Sequence, residues 1–395
     1  MIHEPGTVGA GIANNSVGGG GEPMFHNPGE HVVGMEVVLP TGEVVTLGSP
    51  GYNKYSKHWF GGRYLAGPDL AGLFIGDPGF LGIKTKIALR IFPLPKAMIA
   101  KTVLVPGKAP GTVDDYLAST ENYIKISLEL EKDGDFGLSH GAFAMAYFDQ
   151  LYVSYVGATE IFEPFSRIWD PMEGEPWTEG MFCYIIAGDS EEEALNRVRR
   201  IDKVCEKYGC REFGEKIEDG NFARWLLEKN GDVLYAHPLW MSAGASPTRG
   251  AQWYIYDMAW VNVIPALRAI VKHCLDNREL YTRARATAPS WVLAPVGGGV
   301  KLAEATHMRQ EEIPRLEEAV KAQRRIWDDK HRIYLEHGGV PIWKGVLYTL
   351  KMVKWGIFDE SYLNLLRKIK ESLDPNGILS PGQFGYGIPE DLEVW

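Results

Sequence analysis

The sequence predicts an α+β chain of two domains. Three observations predict it. Residues 1–95 are rich in Gly/Pro turns and short β-branched runs, and the last segment, 350–395, is a short helix followed by a Gly/Pro loop. Residues 96–349 alternate strand-like and helix-like segments joined by short links, the pattern of an antiparallel sheet with helices laid on it. The composition, 45% hydrophobic and 23% charged over 395 residues, is that of a globular chain with ample core.

The elements follow in order. His31 to Leu39 (HVVGMEVVL) and Glu43 to Leu47 (EVVTL) flank Pro40-Thr41-Gly42 and read as a hairpin. Further on, Ile83, Thr85, Ile87, Leu89 and Ile91 alternate as one strand face, and Pro93 and Pro95 end that strand. Ile99 to Val105 reads as a strand and Val113 to Leu130 as a helix. Met181 to Ala187 is a strand leading to Ser190 and Glu193, a capping-box pair, and to a helix with Leu195, Val198, Ile201 and Cys205 on one face. Glu311 to Glu336 is a long amphipathic helix that Gly338-Gly339 ends. Tyr362 to Leu373 is a short helix with Leu365, Leu366, Ile369 and Leu373 inward, stopped by Asp374-Pro375-Asn376-Gly377.

Composition also excludes classes. A net charge of −10 with no basic run argues against nucleic acid. No apolar stretch of about 20 residues is present, so no membrane span is expected. The N-terminal residues carry no secretory pattern, and four cysteines are too few for a disulfide scaffold, so a cytoplasmic location is expected. Cys205 and Cys210 lack zinc spacing, and no metal site is expected.

The most informative stretch is Pro5 to Gly21, PGTVGAGIANNSVGGGG. Its bare backbone lets N–H groups approach a pyrophosphate or a flat ring closely. It is not a Rossmann fingerprint, because no strand precedes it. A flexible Gly-rich segment is the alternative reading of this stretch alone.

Three separated segments narrow the choice. TVGAGIANN with VVGMEVVLPTGEVV, then GPDLAGLFIGDPGFLGIKTKIALRIFPLP, then IKESLDPNGILSPGQFG, together resemble the flavoprotein family of vanillyl-alcohol oxidase and p-cresol methylhydroxylase. Glycolate-oxidase-type and D-lactate dehydrogenases share that FAD-binding fold. The resemblance implies a partial FAD-binding domain of the p-cresol methylhydroxylase type in residues 1–95, with 350–395 returning to it, and a substrate or cap domain in 96–349. It implies that Pro5, Gly6, Thr7, Gly9, Gly11, Asn14, Asn15 and Gly18 lie along the cofactor, that Gly82 and Ile83 line it, and that Asn376 belongs to the loop closing over it. The family's other pyrophosphate-binding subdomain has no counterpart in this sequence, so a separate polypeptide supplying it is expected.

The same resemblance points to catalytic candidates. In the phenol-oxidising branch a tyrosine and an arginine occupy the place of Trp343 and Lys344 in HGGVPIWKGVL. Lys344 would supply positive charge beside the flavin without the arginine fork, and Trp343 has no phenolic hydroxyl. Gln252 in RGAQW stands near a flavin-linking histidine of the family, so non-covalent FAD is expected. Tyr235 and His237, with Trp240 and Met241, form an aromatic wall with one base, or else a core strand. Tyr147, Tyr152 and Tyr155 line the same cavity or pack a sheet.

The resemblance implies an FAD-dependent oxidoreductase subunit acting on an alcohol or phenol-like small molecule, with electrons leaving to an acceptor, such as a partner subunit. A 2-hydroxy-acid dehydrogenase subunit, using Arg249, Arg283 or Arg285 for the carboxylate, is the enzymatic alternative. A non-catalytic scaffold completing a partner's cofactor site is the other.

Overall fold

A computed structural model describes residues 7–16, 26–93, 95–109, 111–132, 142–148, 178–214, 249–286, 288–296, 298–309, 317–342 and 345–388, with Arg224. In chain order the elements begin with α1 (Val8–Ala13), β1 (Val32–Val38), β2 (Val44–Leu47), β3 (Ile83–Leu89), β4 (Ala97–Pro106), α2 (Val113–Lys132), β5 (Ala142–Phe148) and β6 (Glu179–Gly188). Next come α3 (Glu191–Lys207), β7 (Arg211–Glu212), β8 (Arg249–Ala259), α4 (Trp260–Asp276), α5 (Arg278–Ala284) and β9 (Ser290–Val296). The last are β10 (Gly299–Arg309), α6 (Glu317–Glu336), β11 (Val340–Pro341), α7 (Val346–Lys354) and α8 (Glu360–Leu373). The described residues fall into two compact units, one from 7–16, 27–93 and 342–388, the other from His26 and those between 95 and 341.

The first unit holds an antiparallel sheet of order β2-β1-β3. The β1–β2 hairpin turns where Gly42 takes φ +86°, a left-handed value that glycine adopts without strain. Central β1 buries Val32, Met35 and Val37 against Ile12, Phe74, Phe80, Leu81, Leu363 and Phe384.

β3 departs from the alternation its sequence suggests. Glu36 pairs with Lys86 and Val37 with Lys84, which leaves Thr85 as an extra residue. This bulge reverses the facing of the residues before it. Lys84 turns inward, while Ile83 is left 55% exposed and only Ile87 of the alternating set joins the core. Beyond the strand, Ile91 is 88% exposed. On α8 the most buried side chains are Leu363 and Lys370, not Leu365, which is 59% exposed. The helix starts at its Asp359 cap, and that start sets the phase which brings 363, 366, 370 and 373 onto one stripe.

The second unit is an antiparallel sheet of order β11-β8-β10-β9-β5-β6-β4-β7. The register aligns Lys101, Tyr184, Tyr147, Trp291, Glu304 and Tyr254 on one face. That face meets helices. Tyr147 donates to Ser119 and Trp291 to Thr120 on α2, at 2.8 and 2.9 Å. Tyr184 donates to Asp202 on α3 at 2.6 Å. Tyr147 is therefore a core residue, stacked on Tyr123. Tyr152 and Tyr155 lie outside the described residues.

Ser190 caps α3 by accepting from the Glu193 amide, and Glu193 reaches back to the amide of Asp189 at 2.8 Å, one residue before the usual box. The buried stripe of α3 is Ala194, Val198, Ile201, Val204 and Cys205, with Leu195 at its margin. α6 is described from Glu317, and Gly338 beyond it takes φ +78°.

Candidate functional site

The Gly-rich stretch is not wholly irregular. Thr7 caps α1 by accepting from the Ala10 amide at 3.1 Å, and Gly9 and Gly11 sit inside the helix rather than at left-handed φ. Neither glycine is required here by a left-handed backbone conformation. Gly11 is buried. Gly9 is half-buried, and a Cβ there would meet only the Lys84 carbonyl at 3.6 Å and the Thr7 hydroxyl at 3.8 Å. Asn14 caps the helix end, donating from Nδ2 to the Ala10 carbonyl at 3.1 Å. Asn15, at φ 43°, accepts from the Gly29 amide through Oδ1 at 3.0 Å.

The other cofactor candidates divide in the same way. A Cβ on Gly82 would lie 2.5 Å from Val37 Cγ1 and 2.9 Å from Phe74 Cε1, so this glycine is required by packing on the core side. Ile83 faces outward beside Val38. Asn376 is exposed in the turn after α8. Thr7, Val8, Gly9, Ile83 and Asn376 thus remain accessible, whereas Gly11, Asn15 and Gly82 are engaged inside the unit. Pro5, Gly6 and Gly18 lie outside the described residues.

Buried charge underlies this region. Lys84 is ion-paired to Asp77, and Asp77 also accepts from the amides of Gly79 at 3.2 Å and Leu81 at 3.1 Å. Burial pushes the Lys84 amine below its ordinary value, against the opposing pull of Asp77. Lys370 donates to Asp374 at 2.6 Å and to the carbonyls of Phe80 at 2.7 Å and Leu379 at 2.8 Å. Asp374 in turn accepts from the amides of Ile378 at 3.0 Å and Leu379 at 2.9 Å. Sequence reading missed both lysines. Lys370 and Asp374 at i, i+4 across a helix end, and Asp77 opening a Pro-Gly turn, are the signals that mark them.

In the second unit the buried polar cluster is Glu304, Thr306, Lys330 and Tyr334. Lys330 donates to Glu304 at 2.7 Å and also bonds Thr306. Its amine lies over the Tyr254 ring, 4.7 Å from the centroid. Burial raises the Glu304 carboxyl and lowers the Lys330 amine, each opposed by the partner's charge. Gln252 is part of this face. It accepts from the Tyr254 hydroxyl at 2.9 Å and donates to the Gln323 carbonyl on α6 at 3.2 Å, so packing on α6 accounts for its amide.

The catalytic candidates Tyr235, His237, Trp343 and Lys344 lie outside the described residues, as do Trp240 and Met241. Gly345, next to Lys344, caps α7 with extended backbone. Arg283 is exposed, and Arg285 ends α5 at φ 54°. Among the described residues no cluster of His, Cys, Asp and Glu could hold a metal ion. Nor is any described helix long and apolar enough to cross a membrane.

The accessible set is a ledge of bare backbone at Gly9 flanked by the aliphatic side chains of Val8 and Ile83. Aliphatic surface beside bare backbone can receive a ligand with apolar faces and a polar edge, such as a flavin dinucleotide.

Comparison with solved structures defines the fold. The chain superposes on 4-ethylphenol oxidase from Gulosibacter chungangensis with a TM-score of 0.68 at 18% identity, covering 96% of this chain and 70% of that one. It superposes on p-cresol methylhydroxylase with a TM-score of 0.60 at 15% identity, covering 95% and 68%. The fold is that of these flavoproteins, mixed helix and antiparallel sheet. Residues 356–384 match the family model for the C-terminal domain of FAD linked oxidases. A D-lactate dehydrogenase of Anaerostipes hadrus is 38% identical over 94 residues, 24% of this chain and 18% of that protein. The matches to D-lactate dehydrogenase and a second curated relative span only 18% and 31% of those proteins' lengths. By its C-terminal segment and by its fold, the chain is similar to the FAD-linked oxidases.

Proposed function

We propose that the chain is an FAD-dependent oxidoreductase subunit that dehydrogenates an alcohol or phenol-like aromatic substrate. One observation supports this most. The segment similar to the FAD-linked oxidases is folded into the core that carries α1 and β3, with Phe384 edge-on to Phe80 at 5.5 Å and Lys370 on the Phe80 carbonyl. When bound, FAD supplies the ring that accepts hydride from a carbon bearing oxygen. Thr7, Gly9, Ile83 and Asn376 are assigned to holding it, and the sequence resemblance assigns Pro5, Gly6 and Gly18 the same role. His237 accepts the substrate hydroxyl proton at a ring nitrogen, Tyr235 and Trp343 wall the substrate, and Lys344 holds positive charge at Nζ near the reacting centre.

A separate small Gly-rich polypeptide completes the cofactor site in this reading. The outer face of the β2-β1-β3 sheet supports it. Val44, Val38 and Ile83 form one cross-strand row there, with Val44 57% exposed. β1 is the central strand, and its Val32, Met35 and Val37 are buried, so of its apolar residues it is Val38 that contributes to the surface a partner covers.

The experiment is a visible spectrum of the purified chain, alone and with the product of a neighbouring gene, followed by anaerobic titration. Bleaching of the flavin by 4-alkylphenols or benzylic alcohols is the expected outcome. Bleaching by D-lactate or glycolate alone favours a 2-hydroxy-acid dehydrogenase, the reading that the D-lactate dehydrogenase match supports. A chain colourless in both preparations is a scaffold. Acid precipitation should leave all colour in the supernatant, as non-covalent FAD requires. Gly9→Ala adds a methyl with only ordinary contacts, so melting should be unchanged while flavin retention falls. Full retention removes α1 from the assignment.

A further inference from the structure

Two of the four cysteines meet at the end of α3. The Cys205 carbonyl accepts from the Cys210 amide at 3.0 Å, the Glu206 carbonyl accepts from the Gly209 amide at 2.9 Å, and Gly209 takes φ +75°. These two bonds and the left-handed glycine define a Schellman closure, with Cys205 at C3 and Cys210 at C″. Those are the two positions whose side chains ordinarily make the motif's closing apolar contact. Here both are thiols. Cys205 is buried on the inner stripe of α3, and Cys210 is half-buried beside the edge strand β7.

We propose that Cys205 and Cys210 form a reversible dithiol–disulfide site, oxidised by a low-molecular-weight disulfide such as oxidised glutathione. Cys210, the accessible member, attacks one glutathione sulfur as the thiolate, forming a mixed disulfide and releasing one glutathione thiolate. Cys205 then gives its proton to solvent and attacks the Cys210 sulfur, forming the internal disulfide and releasing the second glutathione. Two electrons and two protons leave the protein, and one glutathione disulfide becomes two thiols. The neighbouring Cys210 thiol, together with burial, holds the Cys205 thiol well above the ordinary thiol range. It therefore stays protonated until the mixed disulfide forms, which fits the resolving role. The bond fastens the end of α3 to the start of β7, whose Arg211 and Glu212 pair with Leu104 and Val103 of β4. Cys183 and Cys274 are buried and take no part.

The test uses the full chain incubated with oxidised glutathione, quenched in acid, alkylated in denaturant and digested with trypsin without reduction. Cleavage after Lys207 puts Cys205 and Cys210 on different peptides. The expected product joins those two peptides, with Cys183 and Cys274 alkylated, and dithiothreitol reverses it. Cys210→Ser should yield no cross-link and no glutathione on Cys205. Cys205→Ser should trap glutathione on Cys210; if that variant does not fold, the wild type and Cys210→Ser decide. A mixed disulfide persisting on wild-type Cys210, alkylation of all four thiols, or a cross-link through another cysteine overturns the proposal.

Discussion

Each unit encloses a fully buried lysine–carboxylate pair, and the two are built differently. Lys370–Asp374 lies in the first unit, and most of its remaining partners are backbone: two carbonyls for the lysine and two amides for the aspartate. Lys330–Glu304 lies in the second, and its partners are side chains, the hydroxyls of Thr306 and Tyr334 and the ring of Tyr254. The carboxyls respond in opposite senses. Burial works against the Asp374 charge, but Lys370 and the two amides overcome it and hold the group below its ordinary value. Burial wins at Glu304 and raises it. A pair fixed by backbone fastens irregular chain, whereas one fixed by side chains fills a core that apolar residues could also fill.

The largest effect should come from breaking the second pair. Lys330→Met leaves Glu304 buried without a counter-charge and should cost about 3–5 kcal/mol in urea unfolding, whereas Lys330→Met with Glu304→Leu should recover to within about 1 kcal/mol of wild type. A double variant as unstable as the single would erase the distinction between the two pairs. Lys370→Met should cost about 3 kcal/mol. Adding Asp374→Leu should restore nothing, because the Phe80 and Leu379 carbonyls and the Ile378 and Leu379 amides stay without partners at about 1–3 kcal/mol each. Recovery in that double variant would show that the backbone contacts are dispensable.

Gly82→Ala sharpens the contrast within the first unit. It drives a methyl onto Val37 and Phe74 and should cost about 1–3 kcal/mol with or without flavin. Destabilisation seen only in the flavin-loaded protein would return Gly82 to the cofactor.

The smallest effect is in acid, where a single proton on each carboxyl alters stability. Asp374 has a folded value below its ordinary 3.8, so its contribution is present above that pH and is lost as pH falls through the folded value. Asp374→Asn should therefore flatten the steep limb below pH 3.8. Glu304 has a folded value above 4.5, so the folded state binds the extra proton and stability rises on acidification towards 4.5. Glu304→Gln should remove that rise. A limb unchanged in either variant would contradict the sign assigned to that carboxyl.

The hairpin, the helices α2, α3 and α6 and the turn after α8 are legible in the sequence because their causes are local: a Gly42 turn, a Ser190 cap, a Pro-Asn-Gly stop. The facing of β3 is not, because the bulge at Thr85 exists only in the pairing with Glu36 and Val37. Lys370 reads as a surface residue because its partner carbonyl at Phe80 lies 290 residues away. At the candidate site the glycines all look alike in sequence. Only the structure separates Gly82, where a Cβ would clash with Val37 and Phe74, from Gly9, where it would meet only ordinary contacts.

The closure of the first unit also sets an order of events during synthesis. Phe74, Phe80 and Val37 are made early, yet Leu363 and Phe384, which complete their cluster, come nearly three hundred positions later. At ribosomal rates of about 5–20 residues per second, the nascent sheet waits on the order of tens of seconds with that apolar face uncovered. The intervening unit has time to fold first, since its strands and helices are contiguous between Ala97 and Pro341. Chaperone occupancy on stalled nascent chains should accordingly persist on residues 32–89 and drop when α8 emerges.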